Sequence, residues 1–285
     1  MIHGTPMLGH VLKRMPRAPI ESLDNTSSTG RPSRVLSRWS QFGALVFAQW
    51  AGRHSLRAVV TAMASPSAAL APLGVRPPQR STLAEANERR PAARYQSLCA
   101  TRYARCQAVA PGHGFRFKNP LLSWDSPTIS RCLNLCPWAR FRTAKGALKV
   151  PTLLDHAGHL PAVVVMTDGQ GSDSAMARGL QLPTGRIVAM DRGAIADRFL
   201  FRLTQDGVDV GTPQNINAKC QVTARFAVNW LQGVPSDQHV GLRGQHSPAY
   251  PDTLRRVGCR APATGNHEVF WTTALHLAAA TMAAR

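Results

Sequence analysis

Two aspartates carry the first hint of chemistry. Asp125 follows the apolar run Leu121-Leu122-Ser123-Trp124, and Asp191 follows Ile187-Val188-Ala189-Met190. Each run reads as a strand with a carboxylate near its end. A carboxylate closing a buried strand must be paired, hydrogen-bonded or metal-bound, because burying an isolated charge is costly. Two of them converging from different strands suggest a divalent cation site, since such ions take hard oxygen ligands. The bland alternative for a lone aspartate at a strand end is a turn or cap residue. Basic side chains stand near both. Arg140 and Arg142 lie beside Trp138 and are candidates for contact with a polyanion backbone, while Lys145 and Lys149 either line a groove for it or are solvated. Arg192 either contacts a phosphate or neutralises Asp191. His156 and His159 fall in a turn and are not expected to be ligands.

The elements that must position these residues follow from the hydrophobic pattern. Leu121–Ile129 reads as a strand, with Pro127 marking an edge or a bulge. Leu148–Leu154 and Leu160–Met166 read as a hairpin joined by Asp155-His156-Ala157-Gly158. Then come a short helix, Asp173–Leu182, capped by Ser172 or Asp173, a strand at Arg186–Met190, a helix at Ile195–Gln205 and a strand from Val208. Strands first, then helix–strand alternation, give a mixed α/β sheet with an antiparallel start. Beyond Thr212, Cys220–Val228, His239–Leu242, Leu254–Gly258 and Val269–Thr272 are short strand candidates. Leu275–Ala284 begins an Ala-rich helix.

The amino-terminal part is helical. Met7–Met15 forms a short helix, and Trp39, Phe42, Leu45, Val46, Gln49 and Trp50 trace helical spacing from Ser37 onward. A second helix starts at Ser55-Leu56-Arg57, and a third is capped by Ser81 and stopped by Pro91. Arg80, Asn87, Arg89 and Arg90 around that third helix resemble a recognition helix behind two packed helices; a solvated basic helix is the alternative. Residues 92–110 form one more helix, and Pro111–Pro120 (PGHGFRFKNP) is a Pro/Gly hinge. The tryptophans and phenylalanines here read as core.

Composition limits the partner. The 285 residues carry a formal charge of +19 and a pI near 11.3, with 44% hydrophobic residues. Residues 1–120 hold 17 Lys or Arg against 4 Asp or Glu, and residues 121–285 hold 17 against 11. Such a balance favours a polyanion, with phosphate binding concentrated toward the amino terminus. Arginine far outnumbers lysine, through either bidentate phosphate recognition or a GC-rich coding bias. The six cysteines form no CxxC pair and no zinc spacing, which reads as buried free thiols in a reducing cytosol. The start lacks a signal-peptide pattern and no apolar run reaches about 18 residues, so a cytoplasmic protein without membrane contact is expected.

Taken together, WDSPTI, CPWARFRTAKGALKVPTLLDHAGHLP, VVMTDG and IVAMDRG, in this order, resemble the DDE transposases of bacterial insertion sequences, within them the insertion-sequence-four family. WSQFGALVFAQWAGRHSLR, RSTLAEANERRP, YPDTLRRVG and HEVFWTTALHLAAATMAAR fit as well. The resemblance implies a helical DNA-binding domain at 1–110 and a ribonuclease-H-like mixed sheet core at 111–210. A β-rich insertion at 211–274 and the start of a final helix at 275–285 follow, giving an α+β or α/β chain that is incomplete at its carboxy terminus. It implies Asp125 and Asp191 as catalytic and metal-binding carboxylates for Mg²⁺ or Mn²⁺. Double-stranded DNA is the implied partner, as element terminal inverted repeats and target, bound on the nucleoid by a possible homo-oligomer. The family's third carboxylate lies in a Tyr…Arg…Glu…Lys signature that this sequence lacks. Glu268 precedes the helix where that signature belongs and does not inherit the role. The expected function is therefore transposition with impaired strand cleavage; the alternatives are a non-catalytic DNA-binding inhibitor and a pseudogene product.

Overall fold

The computed structural model describes residues 4–22, 36–91, 93–131, 140–142, 145–168, 172–192, 197–214, 219–228, 230–244, 248–260 and 265–283. The chain divides into two units, Met1–Arg102 and Tyr103–Arg285.

The first unit is helical. Its helices are α1 (Gly4–Arg14), α2 (Arg17–Ser22), α3 (Arg38–Trp50), α4 (Leu56–Ala64), α5 (Ser67–Leu70) and α6 (Arg80–Arg89); α7 (Ala93–Gln107) runs from this unit into the next. Ser37 and Ser55 cap α3 and α4, each accepting the backbone N–H three residues on. Ser81 does not cap α6. Gln79 holds that position without a side-chain bond, and the helix starts one residue before Ser81. Leu8, Leu12, Trp39, Phe47, Val59, Met63, Leu70 and Leu83 form the core. Trp39 satisfies its indole N–H on the Leu73 carbonyl at 2.7 Å. Gly43 lets α3 approach Val75, whose methyls would stand 2.8–3.0 Å from any β-carbon there. Among the described residues no single helix is long and apolar enough to cross a membrane; α4 and Ser67–Leu73 reach that length only as a pair bent by 90°.

The second unit is built on a nine-stranded mixed sheet. Its strands are β1 (Leu121–Asp125), β5 (Thr152–Asp155), β6 (Leu160–Val164), β8 (Ile187–Met190), β9 (Asp209–Pro213), β10 (Cys220–Arg225), β11 (Ser236–Leu242), β12 (Thr253–Arg260) and β13 (His267–Thr272). They lie in the order β10-β11-β12-β13-β9-β8-β1-β5-β6. Neighbours β1, β8 and β9 run parallel, and every other pair is antiparallel. A smaller sheet holds β2 (Thr128–Arg131), β4 (Lys145–Lys149) and β3 (Arg140–Arg142) in that order, with β7 (Thr167–Asp168) also on β4. Helices α8 (Asp173–Arg178) and α9 (Asp197–Gln205) complete the unit, with a last turn, α10 (Ala279–Ala283). Phe199, Leu200 and Leu203 of α9 and Ala177 of α8 share a core with Leu122, Trp124, Leu153, Val188, Met190 and Val210. The four strands after Thr212 thus continue the same sheet as β1, β8 and β9.

Two strands read as continuous are each divided between the sheets, and proline is the reason. Leu121–Ile129 breaks at Ser126-Pro127 into β1 and β2, and Leu148–Leu154 breaks at Val150-Pro151 into β4 and β5. Val150 donates its N–H to the Pro127 carbonyl at 3.0 Å. Pro127 has no N–H to return, and the Thr152 hydroxyl fills that role, donating to the Val150 carbonyl at 3.0 Å. The hairpin is therefore β5–β6 alone, closed by the turn in which Asp155 accepts the Ala157 N–H. Asp173–Leu182 is shorter than expected because Gly179 ends it, and neither Ser172 nor Asp173 caps it by a side-chain bond. Trp138, Cys132 and Cys136 lie outside the described residues.

Candidate functional site

Strand alternation decides where the two aspartates point. Leu122 and Trp124 of β1, and Val188 and Met190 of β8, face the helix-covered core. Leu121, Ser123 and Asp125, and Ile187, Ala189 and Asp191, therefore share the other face. The register sets Leu121 beside Ile187 and Ser123 beside Ala189. One step further, Asp125 and Asp191 stand side by side at the carboxyl ends of adjacent parallel strands, about 4.8 Å apart by strand spacing. Both are exposed. Each carboxylate is steadied by the next residue: Asp125 Oδ1 accepts the Ser126 N–H at 2.8 Å, and Asp191 Oδ1 accepts the Arg192 N–H at 2.7 Å. Ser126 Oγ and Trp124 Nε1, on the residues flanking Asp125, are buried without a partner.

Both aspartates rim one groove of about 470 Å³. Its floor is the sheet face, from Val257 and Cys259 through Phe270 and Gly211 to Ile187 and Ser123; Phe115 and Phe117 flank it. Those two rings stack at 5.6 Å, and His113 pins their segment: its Nδ1 accepts the Phe115 N–H at 3.3 Å while Nε2 donates to the Asn119 carbonyl at 2.8 Å. His156 bonds Ser123 Oγ at 3.1 Å from the turn after β5. Burial, and then the nearby His159 and His113, hold its pKa below the usual histidine range.

A second polar node lies at the end of β5. Asp155, 1% exposed, accepts Tyr103 Oη at 2.8 Å, Gln107 Nε2 at 3.0 Å and the Ala157 N–H at 2.9 Å. Burial alone would raise its pKa. The three donors together with the Arg186 charge outweigh burial and hold the carboxyl below the usual carboxylate range. The same burial, with the Asp155 bond and charge, pushes the Tyr103 phenol up to about 12.

The other expected residues fall into separate places. Glu268 opposes Cys259 across β12–β13 and precedes Phe270 by two, so it lies on the groove face, two strands beyond Asp191. Among the described residues no group of three His, Cys, Asp or Glu side chains converges. Arg192 is exposed beside Asp191. Lys149 pairs with Asp173 at 3.0 Å. Arg140, Arg142 and Lys145 belong to β3 and β4 of the smaller sheet. On α6, Arg80, Asn87 and Arg89 are exposed. Asn87 Oδ1 accepts Gln41 Nε2 at 2.7 Å, and Arg89 pairs with Glu85. Arg90 turns inward, donating to Gln41 Oε1 at 2.8 Å and the Leu36 carbonyl at 2.5 Å. Arg80 and Ser81 instead share a depression of about 500 Å³ with Ser55 and Arg57.

Sequence reasoning passed over Phe115, Phe117, Ser123 and His156 as groove residues. Ser123 was within reach, two places before Asp125 on the same face. Nothing local marks Tyr103 and Gln107 as partners of Asp155 some fifty positions on.

The family model described as Domain of unknown function (DUF4372) matches residues 3–76, within the helical unit. This domain is commonly found in transposase-like proteins. No curated protein matches the chain.

Proposed function

We propose that the chain is a DNA transposase of the DDE type, binding DNA through its basic helical unit and presenting an incomplete strand-cleavage site. The observation that carries this is the pairing of Asp125 and Asp191 on one face, at the carboxyl ends of adjacent parallel strands. The mixed sheet, antiparallel through β6-β5-β1 and parallel through β1-β8-β9, supports this reading. The domain matched at residues 3–76 and the charge of +19 support the same reading.

The two carboxylates offer hard oxygen ligands of the kind Mg²⁺ or Mn²⁺ takes. With Oδ1 of each tied to the following backbone N–H, Oδ2 remains free to ligate. A divalent ion bound there supplies Lewis-acid polarisation of the phosphoryl group and an acidified water. Asp125 and Asp191 orient what binds between them, and Arg192, exposed alongside, is placed to meet phosphate. A two-metal arrangement needs ions about 3.5–4 Å apart, each with several ligands, and two aspartates anchor one ion better than two.

A second reading is a DNA-binding protein without strand cleavage, which the charge of +19 and the basic helical unit support equally. Nicking of supercoiled plasmid in Mg²⁺ and Mn²⁺ separates the two. Slow, metal-dependent nicking that vanishes in Asp125→Asn and Asp191→Asn supports the transposase. Salt-dependent DNA binding with no nicking in either metal supports the second reading. Absence of both activities overturns both.

A further inference from the structure

At one edge of the nine-stranded sheet, β6 is paired only with β5 among the described residues. Val163 (37%) and Val164 (51%) at its end, with Val165 (39%) and Met166 (68%) directly after it, are four consecutive exposed apolar residues. Sheet edges are ordinarily blunted by lysine, by inward charge or by a covering element, because their free N–H and C=O groups template another strand. No charged residue occurs from Leu160 to Met166. Pro161 is the single breaker, and it stands at the start of the strand.

The ladder shows which groups face outward. Val165 donates its N–H inward to the Pro151 carbonyl at 2.9 Å, and Val164 opposes Thr152. In an antiparallel pair, hydrogen-bonded and non-bonded positions alternate. Val164 therefore turns its N–H and C=O away from β5.

We propose that this edge is a self-association surface whose occupant is β6 of a second copy, paired antiparallel about a two-fold axis near Val164. Antiparallel pairing of one strand with itself is self-complementary by construction, which a two-fold interface requires and a chance partner does not supply. Charge points the same way. Two chains of +19 repel, and a seam without charge is where they can touch without setting like charges against each other. The same neutrality leaves this edge nothing to hold a phosphate backbone. Pairing places Val164 opposite Val164 of the partner and extends the sheet across both copies.

Sedimentation velocity on the full chain over about 1–100 µM, the regime of weak association, tests this. Wild type is expected to shift from monomer to a closed dimer. Val164→Pro removes the outward N–H and spares the β5 ladder, and Val164→Lys sets two charges against each other at the axis. Each is expected to weaken dimerisation at least tenfold with an unchanged circular dichroism spectrum. Amide exchange on wild type, which needs no variant to fold, is expected to show Val164 protected at high concentration and exposed on dilution. A wild type that stays monomeric throughout overturns the proposal. So do a dimer undiminished by Val164→Lys, open-ended polymers in place of a dimer, and a Val164 amide indifferent to concentration.

Discussion

The ion pair of Arg255 and Asp237 invites a quantitative test. Arg255 donates Nε to Asp237 Oδ1 at 2.8 Å and Nη2 to Oδ2 at 2.6 Å, with side chains only 10% and 4% exposed. Its remaining nitrogen, Nη1, donates to the Leu275 and Leu277 carbonyls, fastening the segment that leads into α10. Arg255→Met leaves a buried carboxylate with no counter-charge and frees both carbonyls. Breaking one partner of a buried pair costs about 3–5 kcal/mol. For a unit of this size that lowers the melting temperature by roughly 6–20 °C. Asp237→Leu with Arg255→Met removes both charges together and should recover most of the loss, since apolar replacement of a buried pair is close to neutral. Urea unfolding of wild type, both single variants and the double variant closes the cycle. A loss of less than about 1 kcal/mol in Arg255→Met, or a double variant as unstable as the single ones, would show that the pair does not hold this segment.

Five further outcomes are expected. Tyr103 favours its neutral form in the fold, so its contribution is fully present below the unfolded tyrosine value near 10 and is lost as pH rises through about 12; Tyr103→Phe should flatten that alkaline limb, followed by tyrosinate absorbance and unfolding. His156 and Asp155 are both depressed, so their contributions are lost on acidification, below about 6.5 for His156 and below about 4 for Asp155; His156→Gln should remove the first decline from a plot of stability against pH. On the helical unit, Arg80→Ala and Arg89→Ala should each lower the salt dependence of DNA binding by about one phosphate contact. Arg90→Ala should instead cost about 1–3 kcal/mol of stability, because it leaves Gln41 and the Leu36 carbonyl without their donor. Glu268→Gln should leave any metal-dependent nicking within about twofold, since two strand spacings, near 10 Å, separate it from Asp191.

The parts of the fold legible in the sequence are those written in local pattern. The amphipathic helices of the first unit, the strands ending at Asp125 and Asp191 and the turn after Asp155 follow from periodicity and turn chemistry. What escaped is non-local. Pro127 read as an irregularity in one strand and Leu148–Leu154 as an unbroken one; only together, at adjacent positions of one ladder, do Pro127 and Pro151 send two strands into a second sheet. Among the strands after Thr212, β12 shows no alternation because both of its faces are covered: it is buried at Leu254, Arg255, Val257, Gly258 and Cys259. Arg90 looked like its exposed neighbours, and only the distant Gln41 and Leu36 reveal it as a clamp.

The two prolines also have a mechanical meaning. β1–β2 and β5–β4 run as one antiparallel pair through both sheets, stiff where the backbone ladder is complete and more compliant at Pro127, where a side-chain hydroxyl replaces the backbone donor. That compliant point lies two residues from Asp125. The smaller sheet is thus a lever whose pivot sits at one rim of the groove, and a load on β2 or β4 is delivered first to the position of a carboxylate.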